Sequence, residues 1–244
     1  MLKVYSHPRS GANYLAALLK RNFYINDNTS ESVTWGHHSR PRESDKPVEW
    51  AKLLGGFGGP DTKHNGPSIY IYRDGRAVAY SIWKNKDFLS PGQLKNDWLS
   101  YFLESKLDWE FCPSVQKETE KNIAQHWEMH VRSWHKAYSN AGHDKVLFVR
   151  YEDAIKNVPN LLLKVSKAFS LKMPKNISYV KEMVGHSKER LNLDWQQWFS
   201  QSNYNYYHQF ILRDNPYLYY SPSSIPQMAI HDECSSGIKK IKIF

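Results

Sequence analysis

Cysteine is scarce. Cys112 and Cys234 are the only two, far apart and in no metal-like spacing. A disulfide framework and a zinc site are therefore not indicated, and a reducing compartment is the default. No run approaches the roughly 20 apolar residues that a membrane span needs. No apolar signal segment precedes the first predicted strand, so a soluble, cytoplasmic protein is expected. The dipeptide Gly-Lys is absent, which excludes the Walker A pattern. There is no internal repeat and no low-complexity block.

Acidic residues are also in the minority, 24 against 33 Lys and Arg, for a formal net charge of +9. Such a balance suits an anionic ligand, and it suits nucleic acid or an acidic polysaccharide as well. The basic residues are spread along the chain rather than gathered in a tail, as on an ordinary solvated surface. A length of 244 residues is enough for one full-sized domain with a real core. Aromatic residues are plentiful, with 9 Trp and 16 Tyr; most aromatics fill cores, and some line ligand sites.

The N-terminal stretch organises the rest. Leu2-Lys3-Val4-Tyr5 reads as a strand, and Leu15, Leu18, Leu19 and Phe23 recur at helical spacing. Between them lies His7-Pro8-Arg9-Ser10-Gly11-Ala12-Asn13-Tyr14. A strand, a tight loop and a helix aim free backbone N–H groups and the positive end of a helix dipole at one point. Arg9 can grip two oxygens of an anion, and Ser10 and Asn13 add side-chain donors. Gly11 permits close backbone approach.

A second such unit follows. Ser68-Ile69-Tyr70-Ile71-Tyr72-Arg73 is the clearest strand, and it runs into a helix from Asp74 to Lys84 with Val78 and Ile82 on one face. Further on, residues 119–140 form a helix with Ile123, Trp127, His130, Val131, Trp134 and Tyr138 along one stripe. His126 and His130 are four apart, as metal ligands can be, but packing is the preferred reading because the HExxH order is missing. Lys145 to Val149 reads as a strand, and Pro159 marks the start of a helix through Leu161, Leu162, Val165 and Phe169. Residues 40–67 read as loop, with a glycine cluster at 55–59. Residues 87–118 read as an acceptor-binding insertion or a segment covering the core. Residues 200–244 read as a partly irregular tail without an assigned role.

Pro8-Arg9-Ser10-Gly11 after a strand resembles the 5′-phosphosulfate loop of sulfotransferases that use 3′-phosphoadenosine 5′-phosphosulfate (PAPS), with Ala12 and Asn13 in place of two hydroxyl residues. Arg73 and Ser81, eight apart, resemble that family's 3′-phosphate pair. Asp74-Gly75-Arg76-Ala77-Val78 follows its pattern, with Gly75 for the usual Pro and Ala77 for the usual Asp. Tyr151-Glu152-Asp153 resembles the end of a family strand whose Tyr lies near the nucleotide. Val33-Thr34-Trp35 stands where a family strand leads to a catalytic histidine, and His37 and His38 follow it. The segment from His186 to Phe199 is similar to the family's late basic segment, keeping Asp194-Trp195 and Phe199 but losing the glycines.

The resemblance implies a three-layer α/β domain with a mainly parallel sheet, related to nucleotide kinases, in one unit over residues 1–244. It implies that Arg9, Ser10, Gly11, Ala12, Asn13 and Tyr14 hold the 5′-phosphosulfate. Arg73, Ser81, Lys188 and Arg190 would hold the 3′-phosphate, and Tyr151 would meet the adenosine. His38, or else His37, would be the base, and Arg9 would stabilise the leaving phosphate. PAPS would be the cosubstrate with PAP (adenosine 3′,5′-bisphosphate) as product, no metal would be needed, and the acceptor would be a small molecule or carbohydrate. Neither membrane nor nucleic acid is the expected partner; acceptor identity and oligomeric state are not readable. Two other readings remain: a P-loop-type small-molecule kinase, against which the missing Walker lysine speaks, and a non-catalytic polyanion binder.

Overall fold

The computed structural model describes residues 2–23, 33–35, 67–85, 99–106, 121–138, 146–180, 195–199, 201–210 and 217. These form four strands and seven α-helices, among the described residues. They run β1 (Leu2–Ser6), α1 (Ala12–Phe23), β2 (Val33–Trp35), β3 (Ser68–Tyr72), α2 (Gly75–Asn85), α3 (Leu99–Glu104), α4 (Ile123–Tyr138), β4 (Val146–Arg150), α5 (Tyr151–Lys156), α6 (Val158–Ala168) and α7 (Gln201–Gln209), with a 3₁₀ turn at Trp195–Trp198 before α7. The sheet is parallel throughout, in the order β2-β1-β3-β4. β2 runs beside β1, with Leu2 opposite Val33.

Side chains alternate across a strand with period two, and the chain uses this to give the sheet two unlike faces. Val4, Ile69 and Leu147 lie in register on one face; Tyr5, Tyr70 and Phe148 lie in register on the other. The aliphatic face packs against Leu15, Leu18 and Leu19 of α1 and Leu161, Leu162 and Val165 of α6. The aromatic face packs against α2, α3, α4, the 3₁₀ turn and α7. Helices therefore cover both faces, and the three-layer α/β architecture is the one expected.

On the aromatic face Trp134 stacks on Tyr70 at 4.8 Å between ring centroids, and the Tyr70 hydroxyl bonds His130 Nδ1 at 2.8 Å. Leu99, Phe102 and Leu103 of α3 are buried in the same cluster, so the described part of residues 87–118 covers the core. The start of α6 carries a cap: Asn157 Oδ1 accepts the Asn160 N–H at 3.0 Å, with Pro159 in the first turn. Two elements depart from the sequence reading. Tyr151 to Lys156 is a helix rather than a strand exit, and residues 201–209 are a helix whose Tyr207 is fully buried in the aromatic core.

His135 of α4 lies between Phe148 and Tyr217, at 4.2 and 4.4 Å between centroids. Burial, with the Arg150 charge, lowers its pKa to about 4. An unfolded histidine takes its proton near pH 6.5, so between pH 6.5 and about 4 the unfolded chain binds a proton that the folded one refuses. Stability is full above that window and is lost as pH falls through it. His135→Phe removes this loss while keeping the stack. Urea melts from pH 7 to pH 4.5 should show a smaller fall in stability for the variant; equal falls would mean that His135 does not contribute.

Candidate active site

β1 and β3 are neighbours, yet α1 leaves toward the aliphatic face and α2 toward the aromatic one. Their loops part at the carboxyl ends of the strands, and such a switch point in an open parallel sheet is where ligands bind. After β1 the turn closes with the Ser10 N–H on the His7 carbonyl at 3.2 Å. Arg9 takes φ 63° and Gly11 φ 96°. The left-handed form costs a residue with a Cβ about 1–2 kcal/mol, and it persists where surrounding contacts over-determine it. Here Arg9 Nε donates to Ser81 Oγ on α2 at 3.2 Å. His7, fully buried, donates from Nδ1 to the Pro8 carbonyl at 2.9 Å. Ser10 Oγ is buried and has no hydrogen-bond partner among the described residues. Gly11 opens α1, where a helix offers its first N–H groups outward.

After β3, Arg73 is buried with its guanidinium over the Tyr151 ring at 4.9 Å. Tyr151 in turn meets Tyr14 edge-on at 6.1 Å. A Cβ on Gly11 would sit 2.8 Å from Tyr151 Cε2, so this position must be glycine for space as well as for φ. The Asp74 N–H donates to Glu152 Oε1 at 2.9 Å, which ties the β3–α2 turn to the first turn of α5. Asp74 grips Arg76 through Nε at 2.9 Å and Nη2 at 2.6 Å, both side chains fully buried. That pair is desolvated at a cost, offset by its two-pronged geometry and by Trp195, whose ring lies 4.8 Å from the guanidinium. Gly75 admits no side chain either: a Cβ there would lie 2.5 Å from Trp127 Cδ2 and would meet the Tyr207 hydroxyl.

A model of the sulfotransferase domain matches residues 63–211, more than half of the chain. The chain belongs to this family. The matched residues run from before β3 to just past α7, and so include Arg73, Ser81 and Tyr151. No curated protein matches. Among solved structures, mouse sulfotransferase SULT7A1 complexed with PAP is similar in fold, with a TM-score of 0.55 at 16% identity over 86% of this chain and 81% of that one. Retinol dehydratase in complex with androsterone and inactive cofactor PAP matches with a TM-score of 0.39 at 14% identity, over 88% of this chain and 71% of that one.

In this sulfotransferase-family chain the structure draws together six of the thirteen residues singled out from the sequence. Arg9 meets Ser81; Gly11, Tyr14 and Arg73 all meet Tyr151. Ala12 is buried at the start of α1 and Asn13 is exposed there. His37, His38, Lys188 and Arg190 lie outside the described residues. Burial raises the pKa of Tyr151 against the opposing pull of Arg73, and raises that of Tyr14, so both rings stay protonated phenols. Burial also raises Glu152, while hydrogen bonds from the backbone hold it back. The His126 and His130 side chains use their Nδ1 atoms on His7 and Tyr70, in line with the packing reading. The contact of Glu152 with Asp74 had no signal in the sequence, because it joins residues 78 positions apart.

Gly11→Ala should destabilise the domain by two separable effects. The φ penalty of about 1–2 kcal/mol remains when Tyr151 is also cut to alanine, while the collision with the ring, typically about 1–3 kcal/mol, vanishes in that background. Urea melts of the two single variants and the double variant check this; additive losses would deny the collision.

Proposed function

We propose that this sulfotransferase domain moves a sulfuryl group from PAPS to a hydroxyl or amine acceptor. The observation that carries the reading is the hydrogen bond from Arg9 to Ser81, which joins the loop after β1 to α2, the helix that follows β3. PAPS holds charged groups at both ends of one ribose and needs two anion sites in that proximity. The residues present fit it. Ser10 offers a buried hydroxyl with no partner among the described residues, the first turn of α1 offers N–H groups, and Arg9 and Arg73 supply fixed charge. Tyr151 adds an aromatic face beside both loops.

PAPS supplies an activated sulfuryl group joined to a phosphate leaving group. Arg9, Ser10 and the N–H groups of Ala12 to Tyr14 would hold the 5′ end, and Arg9 would offset charge on the phosphate oxygen as its bond to sulfur breaks. Arg73 and Ser81, with Lys188 and Arg190 from the late segment, would hold the 3′-phosphate. His38 or His37 would accept the proton that the acceptor releases as its oxygen or nitrogen bonds to sulfur. Positioning and electrostatics carry the rate, as in phosphoryl transfer.

PAP should raise the melting temperature well beyond 5′-AMP or ATP, because a ligand selective for the folded state stabilises it by mass action. Equal shifts for PAP and 5′-AMP would remove the 3′-phosphate assignment, and a larger shift with ATP would favour a kinase.

The base is tested separately. Alanine at His38 or at His37, whichever faces the acceptor, should lower kcat by roughly 10²–10⁴-fold while PAP affinity stays near wild type. Full turnover in both single variants, assayed with a true acceptor, would place the base elsewhere.

A further inference from the structure

Two consecutive residues of α4 hold the two loops from beneath. The helix is capped reciprocally: Asn122 Oδ1 accepts the Gln125 N–H and Gln125 Oε1 accepts the Asn122 N–H, each at 3.0 Å. The Asn122 carbonyl accepts the His126 N–H, also at 3.0 Å. This fixes the helix start one turn ahead of His126 and Trp127. From there His126 reaches β1's loop, with its Nδ1 2.9 Å from His7 Nε2. Trp127 reaches the end of β3, donating from Nε1 to the Arg73 carbonyl at 3.1 Å. Both side chains are buried, so each acts through the residue it holds.

The proton pattern of the histidine pair follows from its surroundings. A carbonyl oxygen can only accept, so His7 Nδ1 carries the proton that goes to Pro8. When His7 is neutral its Nε2 can only accept, and His126 then donates from Nδ1. His130 packs edge-on against His7 at 5.2 Å between centroids and is itself tied to Tyr70, which limits rotation of the His7 ring. Two residues on from His7 stands Arg9, in its left-handed conformation.

We propose that His126 and Trp127 are positioning residues, each serving one anion site. His126 sets the 5′ site through His7 and the Arg9 loop; Trp127 sets the 3′ site through Arg73. The inference rests on the nucleotide reading above. A loop released from its anchor spends less time in the binding geometry, and apparent affinity falls by that fraction.

The experiment is calorimetric titration of the whole chain with PAP, 3′-AMP and 5′-AMP. Variants are His126→Gln, whose amide is displaced from the Nδ1 position, His126→Asn, whose amide N–H restores a donor near it, and Trp127→Phe, which drops only the indole donor. His126→Gln should lose about tenfold for PAP and 5′-AMP, the cost of one buried hydrogen bond, and keep 3′-AMP within about twofold. His126→Asn should recover most of that loss. Trp127→Phe should show the converse, losing PAP and 3′-AMP and keeping 5′-AMP. His7→Asn, which keeps a donor toward Pro8 and drops the bond to His126, reads the first arm from the other partner should His126→Gln not fold. Equal weakening of all three ligands, or no weakening, overturns the proposal. Failure of the nucleotide reading looks different: the wild-type chain would not prefer PAP to either monophosphate, and both proposals would fall together.

Discussion

The site depends on one constraint of topology. Two adjacent parallel strands, β1 and β3, must send their helices to opposite faces, because the chain returns from β2 on the far side of β1. The loops then diverge and leave a crevice between them, which no packing of side chains could supply if both helices lay on one face. The two faces are chemically sorted for this purpose. Aliphatic residues seat α1 and α6, while the aromatic face seats α2 and α4, and His126 and Trp127 of α4 reach the two loops.

Much of this was legible in the sequence, for local reasons. Ser68-Ile69-Tyr70-Ile71-Tyr72 alternates because one face is aliphatic and the other aromatic, and the pattern survives in five letters. α1 and α4 show their buried stripes at helical spacing. Family resemblance gave Arg9 and Ser81 to opposite ends of one nucleotide, and their direct contact across 72 residues had no signal in the sequence. What sequence could not carry was contact between distant elements. Nothing in Asp-Gly-Arg announces a buried pair under Trp195, and nothing in Tyr-Glu-Asp announces a carboxylate holding a turn 78 residues away. α7 was missed because its composition, QSNYNYYHQ, is polar with tyrosines, and only the tertiary core gives Tyr207 a buried place.

The histidines divide by what surrounds them. Those in the aromatic layer lie where charge is disfavoured: His135 between two rings, and His208 beside Tyr204, both with pKa lowered to about 4, chiefly by burial. They act as polar aromatics at neutral pH. His7 instead lies in the loop itself and uses both ring nitrogens, one on Pro8 and one on His126. The same residue type thus serves as filler in the core and as a two-ended strut at the site.

Gly75, Trp127 and Tyr207 come from three separate helices and occupy one point of space. They form a single steric unit, in which any side chain at position 75 would have to displace an indole or a buried tyrosine. A proline ring at position 75 would stand where the Tyr207 hydroxyl lies. α7 could not then keep its present seat against Gly75. The seat of α7 is therefore set by the absence of a side chain 132 positions upstream of the tyrosine that fills it.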